Sequence, residues 1–285
     1  MMQAIKVPIP KSKIRKQRLQ TILKVILFSV VLFGLYFPIL YILIQSVNAS
    51  ATGQSFTGFT LQWYVKMFEN RSLMEAIRNT ISMAILATII SVVFGTLFAI
   101  GINALETKKR RRLILLNNVP VLNADIVTGV FLMLTFQMVA VMLPGVAVFG
   151  YYSMLLSHVF FCIPYVVLSV LPKLNEIDHN LYDAALDLGC RPYEALRKVI
   201  IPSIKAGIIT GALIAFTMSI DDFVISYMTT GSGVENFSIW LFSIKNPLRN
   251  NAMQMASAYN TLISVGTLVI LIVYNIVKRK KGTKK

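Results

Sequence analysis

Six blocks of this sequence, 25–47, 81–101, 118–142, 151–171, 202–228 and 256–277, are apolar over the length a helix needs to cross a bilayer. About 20 residues rising 1.5 Å each cover a hydrocarbon layer of ~30 Å. The first, second, fourth and sixth blocks hold no charged residue. The third contains Asp125, and the fifth contains Lys205, Asp221 and Asp222. Lipid offers no partner to backbone N–H and C=O groups, so the segments must satisfy their own, and the expected fold is an all-α membrane protein with six transmembrane helices. Composition agrees, with 14% charged residues and a mean hydropathy of +0.68, where a soluble domain carries roughly 25% charge.

The net charge of +16 raises the question of a nucleic-acid partner, which its distribution answers. All but five of the 28 basic residues fall in residues 6–24, 108–112, 173–205 and 278–285, and the other five lie in the alternate loops. That bias places both termini in the cytoplasm. Basic tails beside anionic lipid account for the charge without nucleic acid. The start of the chain is basic, and ASA at 49–51 resembles a cleavage site, but the apolar core is about 23 residues against roughly 7–15 in a signal peptide. A retained anchor is expected. Cys162 and Cys190 lie on different elements with no metal-ligand spacing, so both are read as reduced, and neither a metal nor a cofactor is expected.

Two outer loops are predicted. In the first, Trp63, Tyr64, Met67 and Phe68 recur at helical spacing, which predicts a short helix at the membrane interface with Trp63 as an anchor. The second contains FSIWLFSIKN, whose Trp240 and Phe242 suit anchoring or contact with an outer partner. The chain shows no internal repeat and reads as one membrane domain, 1–285. His158 reads as a satisfied interhelical hydrogen bonder. Gly207 and Gly211 form a small-xxx-small pattern that suits close helix contact, and it is a weak pointer to an interface between permeases.

The loop at 171–207 is long and balanced, with five acidic and five basic residues. Leu181, Ala184, Ala185 and Leu188 make one apolar helical strip, Gly189 suits a helix stop, and Pro192 suits the first turn of a second helix. Such a loop is expected to dock onto something.

These residues resemble a known pattern. Asp183-Ala184-Ala185, Gly189 after three intervening residues, Val199 after nine more, then Ile201-Pro202 after one reproduce the spacing of the EAA loop of ABC-importer permeases, with Asp for Glu, Val for Ile and Ile for Leu. The stretches GFTLQWYVKMF, NADIVTGVFLML, SHVFFCIPYVV and SIDDFVISYMTTG, in that order, resemble the permeases of spermidine/putrescine importers over nearly the whole chain. Similarity to permeases for thiamine, ferric ion and sulfate is looser. The resemblance implies a type I ABC importer permease (MetI-like) fold in the cytoplasmic membrane, with residues 172–205 as the coupling loop. Asp183, Ala184, Ala185, Gly189 and Pro202 would then engage a cytoplasmic ABC ATPase dimer. It also implies a second, different permease subunit, an extracellular substrate-binding protein and a polyamine substrate.

An Asp at a helix centre costs about 2.5–3.5 kcal/mol on insertion scales, so a buried pair calls for a cavity or a partner. Two adjacent carboxylates also raise each other's pKa unless a cation is near. A polyamine supplies ammonium groups separated by methylenes. Asp125, Asp221 and Asp222 are therefore expected to line a cation path. A structural role stays open beside this one: Ser219 or Asp221 as the cap of a restarted helix, and Asp221 paired with Lys205 or Arg249.

Other function classes fit less well. No G-x-x-x-x-G-K-[ST] loop occurs, so ATP hydrolysis is expected in a partner and the chain is not read as an enzyme. An intramembrane aspartate-dependent enzyme needs its acids on facing helices, whereas neighbours on one helix point about 100° apart. A stand-alone secondary transporter or channel would not need the EAA loop.

Overall fold

The computed structural model describes residues 11–50, 53, 55–178, 180–231, 233–245 and 251–282. They group into two compact units, one within residues 1–69 and 246–285 and the other spanning 70–245.

The first unit holds α1 (Lys11–Ser46), α2 (Gln62–Glu69) and α12 (Ala252–Gly282). α12 packs on both α1 and α2. The link from α1 to α2 folds around Asn48, whose side chain accepts the N–H groups of Ser50 and Thr57 and donates to the carbonyl of Ser55. Trp63 is 1% exposed, and its indole N–H donates to the Asn48 carbonyl at 2.6 Å. The short helix is where its periodicity puts it, but the expected anchor Trp63 is instead the buried centre of this loop, because its N–H has a protein partner.

In the second unit, α3 (Arg71–Asn103), α6 (Tyr151–Asn175) and α9 (Ile201–Asp221) pack together as the core. Asn70 caps α3 by accepting the Leu73 N–H at 3.0 Å. The core is built from Ala99, Val166, Val167, Val170, Ile204 and Ala215. Close approach depends on residues without side chains. A Cβ at Gly95 would lie 2.8 Å from Val166 Cβ, one at Gly207 would lie 2.8 Å from the Ser169 carbonyl, and one at Gly211 would lie 3.2 Å from Val166 Cα. The Gly207–Gly211 pattern therefore seals α9 on α6 inside the chain, which corrects its reading as a surface between permeases.

The third and fifth apolar blocks are not continuous helices. The third divides into α4 (Thr107–Leu122) and α5 (Asp125–Met142), with Asn123 and Ala124 extended between them. The fifth stops at Asp221; Asp222 is extended, and α10 (Val224–Thr229) restarts the chain. The first break separates a polar, basic helix from an apolar one, and the second falls at the adjacent aspartates Asp221 and Asp222. Trp240, in α11 (Phe237–Ser243), is 6% exposed and donates to Ser72 Oγ at 3.1 Å, so it too is a core residue and not an anchor.

The loop after α6 forms α7 (Asn180–Asp187) and α8 (Pro192–Ala195), and a π-helical turn at Leu196–Ile200 runs into α9. Gly189 has φ +86°, and the Cys190 N–H reaches back to the Ala185 carbonyl at 3.1 Å, closing α7 as expected. Pro192 opens α8, also as expected.

Among the described residues, five helical segments are long and apolar enough to cross a membrane: Gln20–Ser46, Arg71–Asn103, Asp125–Met142, Tyr151–Asn175 and Pro192–Asp221. The sixth block, 256–277, runs within α12, and several of its side chains lie outside the described residues.

Candidate functional site

His158, Cys162 and Tyr165 are spaced i, i+4 and i+7, so they stand in one strip along α6. The His158 ring joins both sides of the α9/α10 break: Nδ1 meets Ser219 Oγ at 2.6 Å and Nε2 meets Ser226 Oγ at 2.8 Å. The expectation that His158 is a satisfied hydrogen bonder between helices is met.

Asp222 is the second half of this joint. Its Oδ2 accepts the Ser226 N–H at 2.7 Å and the Ser226 hydroxyl at 2.8 Å, and its Oδ1 accepts the Ile225 N–H at 3.3 Å. The carboxylate thus takes backbone donors that the start of α10 would leave orphaned. Asn236 donates to the Asp222 carbonyl at 3.0 Å and to Ser226 Oγ at 2.9 Å, while its own oxygen caps α11 through the Ile239 N–H. The proton positions follow by counting. Ser226 has one hydroxyl proton and gives it to Asp222, so it can only accept from His158 Nε2–H and Asn236. A neutral imidazole with its proton on Nε2 then accepts the Ser219 hydroxyl at Nδ1.

Asp221 differs from its neighbour. It is the last residue of α9, is exposed, and makes no side-chain hydrogen bond or ion pair among the described residues. Lys205, one partner considered for it, makes no ion pair either, and Arg249, the other, lies outside the described residues. Asp125 opens α5 directly after the other break and is likewise exposed. Asp125 acts electrostatically on Tyr165, and Asp222 acts on His158 and Cys162. His158 and Cys162, near one break, and Tyr165, near the other, lie roughly 5–10 Å apart along the α6 axis. α5 and α10 also touch, with Gly129 facing Ile225 and Met228.

The coupling-loop residues form a separate surface. Ala185 turns inward at 6% exposure, while Asp183, Ala184, Gly189 and Pro202 are exposed. Leu188 and Tyr193 stand out at 87% and 69% exposure. Of the strip read from the sequence, Ala185 is the face that packs inward, and Leu181, Ala184 and Leu188 are the face left open. Beneath α7 lies a cavity of about 600 Å³ bordered by Asp183, Tyr182, Asn103 and Leu196.

Sequence reasoning missed Ser226 and Asn236 as members of the joint. Their only signal is proximity to the aspartate pair, and Asn236 lies fourteen residues beyond Asp222.

Comparison with known proteins places these features in context. Residues 113–282 match the family described as binding-protein-dependent transport system inner membrane component. The spermidine/putrescine transport system permease protein PotC of Haemophilus influenzae is 30% identical, over 87% of this chain and 93% of that one. PotC of Escherichia coli K12 is 29% identical over 87% and 90%, and its putrescine transport system permease protein PotI is 30% identical over 73% and 75%. Among solved structures, a chain of a bacterial ABC transporter that imports the acidic polysaccharide alginate aligns with a TM-score of 0.70 over 95% of this chain and 99% of its own. At 16% identity that likeness speaks for the fold alone.

Proposed function

Because the chain belongs to the binding-protein-dependent transport system inner membrane component family, we propose that it is the permease subunit of an ATP-driven importer of polyamines, spermidine or putrescine. It crosses the cytoplasmic membrane six times with both termini in the cytoplasm. It works with a cytoplasmic ATPase dimer, a second and different permease, and an extracellular binding protein. The named relatives carry polyamines, and an alginate importer structure holds its periplasmic protein in complex.

The observation that carries this reading is the pair of helix breaks. Discontinuous helices are tolerated in a membrane where their freed backbone groups are buried in protein or line a water-filled cavity, and transport sites use them. Each break carries an exposed aspartate, Asp125 at one and Asp221 at the other, with no protein cation on either among the described residues. An ammonium group is the chemistry they lack. Asp222 adds negative charge from behind while its oxygens hold the joint.

The mechanism follows from continuity. From Pro192 to Asp221 the chain stays helical for 30 residues, a rod of roughly 45 Å, through the π-helical turn at Leu196–Ile200. The ATPases close on ATP and push the exposed face of Leu181, Ala184, Leu188 and Tyr193. Asp183 and Gly189 fix the angle of that face. The rod delivers the push to Asp221, and the path changes which side it opens to. Hydrolysis returns it.

Uptake of radiolabelled spermidine and putrescine by transport-deficient cells carrying the full importer tests this. Saturable, ATP-dependent uptake, blocked by unlabelled polyamine but not by thiamine or ferric ion, is expected. Import of sulfate or a neutral solute with no polyamine uptake would overturn it.

A further inference from the structure

A second cavity, of about 530 Å³, lies on the far side of α10 from the break, between α5, α10, α11 and the 230–235 turn. Its polar walls are Gln137, Tyr227, Glu235 and Ser243, and its apolar walls include Met133 and Met228. Glu235 makes no ion pair among the described residues. Tyr227 belongs to a cluster of three rings, with centroids 5.5 Å from Phe223 and 5.6 Å from Phe242, and Phe223 lies 5.0 Å from Phe242. Tyr227 and Phe242 are 48% and 65% exposed, so their ring faces are not covered by this unit.

A carboxylate beside uncovered aromatic faces is recognition chemistry for alkylammonium groups, and methionine walls suit the methylenes between them. Phe223 directly follows Asp222, so the ring cluster reaches from the helix break to the cavity. The six residues of α10 separate the two by roughly 9 Å. A flexible chain with an ammonium group at each end can touch both.

We propose that this cavity is a loading subsite for the polyamine. Its leading ammonium group rests on Glu235 against Tyr227, the ring of the cluster that lines the cavity, before moving past Phe242 and Phe223 to Asp221. The proposal rests on the polyamine reading above and adds an outer station to it.

The test is a titration of labelled spermidine into the complete complex in lipid vesicles, held closed with ATP and vanadate, alongside vesicle uptake. Glu235→Gln should weaken retention about tenfold, as expected for loss of one charge-assisted contact. Glu235→Asp should restore most of it. Phe242→Leu, at an exposed ring, should weaken retention about threefold without affecting assembly. Wild-type uptake of polyamine together with unchanged retention in Glu235→Gln and Phe242→Leu would overturn the subsite alone. A wild-type complex that takes up no polyamine would overturn both the subsite and the reading beneath it.

Discussion

The imidazole Nε2 of His158 lies 3.6 Å from the Asp222 carboxylate Oδ2, and the two side chains are 1% and 7% exposed. Enclosed this way, the carboxylate is answered by the Ile225 N–H and by the N–H and hydroxyl of Ser226, which in turn accepts from the imidazole. This divides the adjacent aspartates by role: Asp222 holds the break, and Asp221 faces outward from it.

Asp221→Asn should assemble normally, melt at the wild-type temperature and lose most polyamine uptake, since no contact among the described residues depends on its charge. Asp222→Ala should lower stability by about 1–2 kcal/mol through loss of a helix cap. Asp222→Asn keeps an acceptor and should melt closer to wild type. Thermal unfolding of the purified complex together with uptake separates the two positions; equal melting of Asp221→Asn and Asp222→Ala would contradict the division.

His158→Leu leaves the buried Ser219 hydroxyl without its ring partner, while Ser226 keeps Asp222 and Asn236. Each unsatisfied buried group costs about 1–3 kcal/mol, so a drop of several degrees in the melting temperature is expected. A wild-type melting curve would show that the joint contributes nothing.

Gly207→Val drives side-chain atoms into the Ser169 carbonyl and Val170, and overpacking of this kind costs about 1–3 kcal/mol. Gly101→Ala, with nothing within 4 Å of its new Cβ, should stay within about 0.5 kcal/mol of wild type. Comparing their expression and melting checks that α9 is sealed on α6 inside the chain.

Gly189 sits at φ +86°, where a side chain costs about 1–2 kcal/mol. Gly189→Asp should leave the complex assembled but abolish polyamine-stimulated ATP hydrolysis. Gly189→Asn, which tolerates this conformation better, should retain part of it. Coupled activity at the wild-type level in Gly189→Asp would remove the turn from the transmission route.

Leu188→Glu alters a side chain that is 87% exposed and touches little of its own unit. Its melting point should not move, while co-purification of the ATPase subunits should fall sharply. Retained ATPase at wild-type stoichiometry would place the docking face elsewhere.

Much of the molecule is legible in the order of its residues. The helical segments follow from uninterrupted apolar length, because a chain in lipid has no other way to satisfy its backbone. Gly189 and Pro192 mark the turn between α7 and α8, because a positive φ and a helix start are local demands that specific residues meet. The coupling-loop spacing and the positions of Asp125 and Asp221 are visible for the same reason.

Tertiary structure alone decided the rest. Trp63 and Trp240 look like interfacial residues until their N–H groups find Asn48 and Ser72, fifteen residues away in one case and far along the chain in the other. Gly207 and Gly211 advertise close contact, but only packing chose α6 as the neighbour. The helix breaks at Asn123–Ala124 and Asp222 lie inside blocks long enough to be read as single spans. The break at Asp222 is held by Asp222, Ser226, Asn236 and His158, which come from separate elements and satisfy one another there. Local apolarity sets what enters the membrane. Which polar groups meet there depends on contacts between residues far apart in the chain.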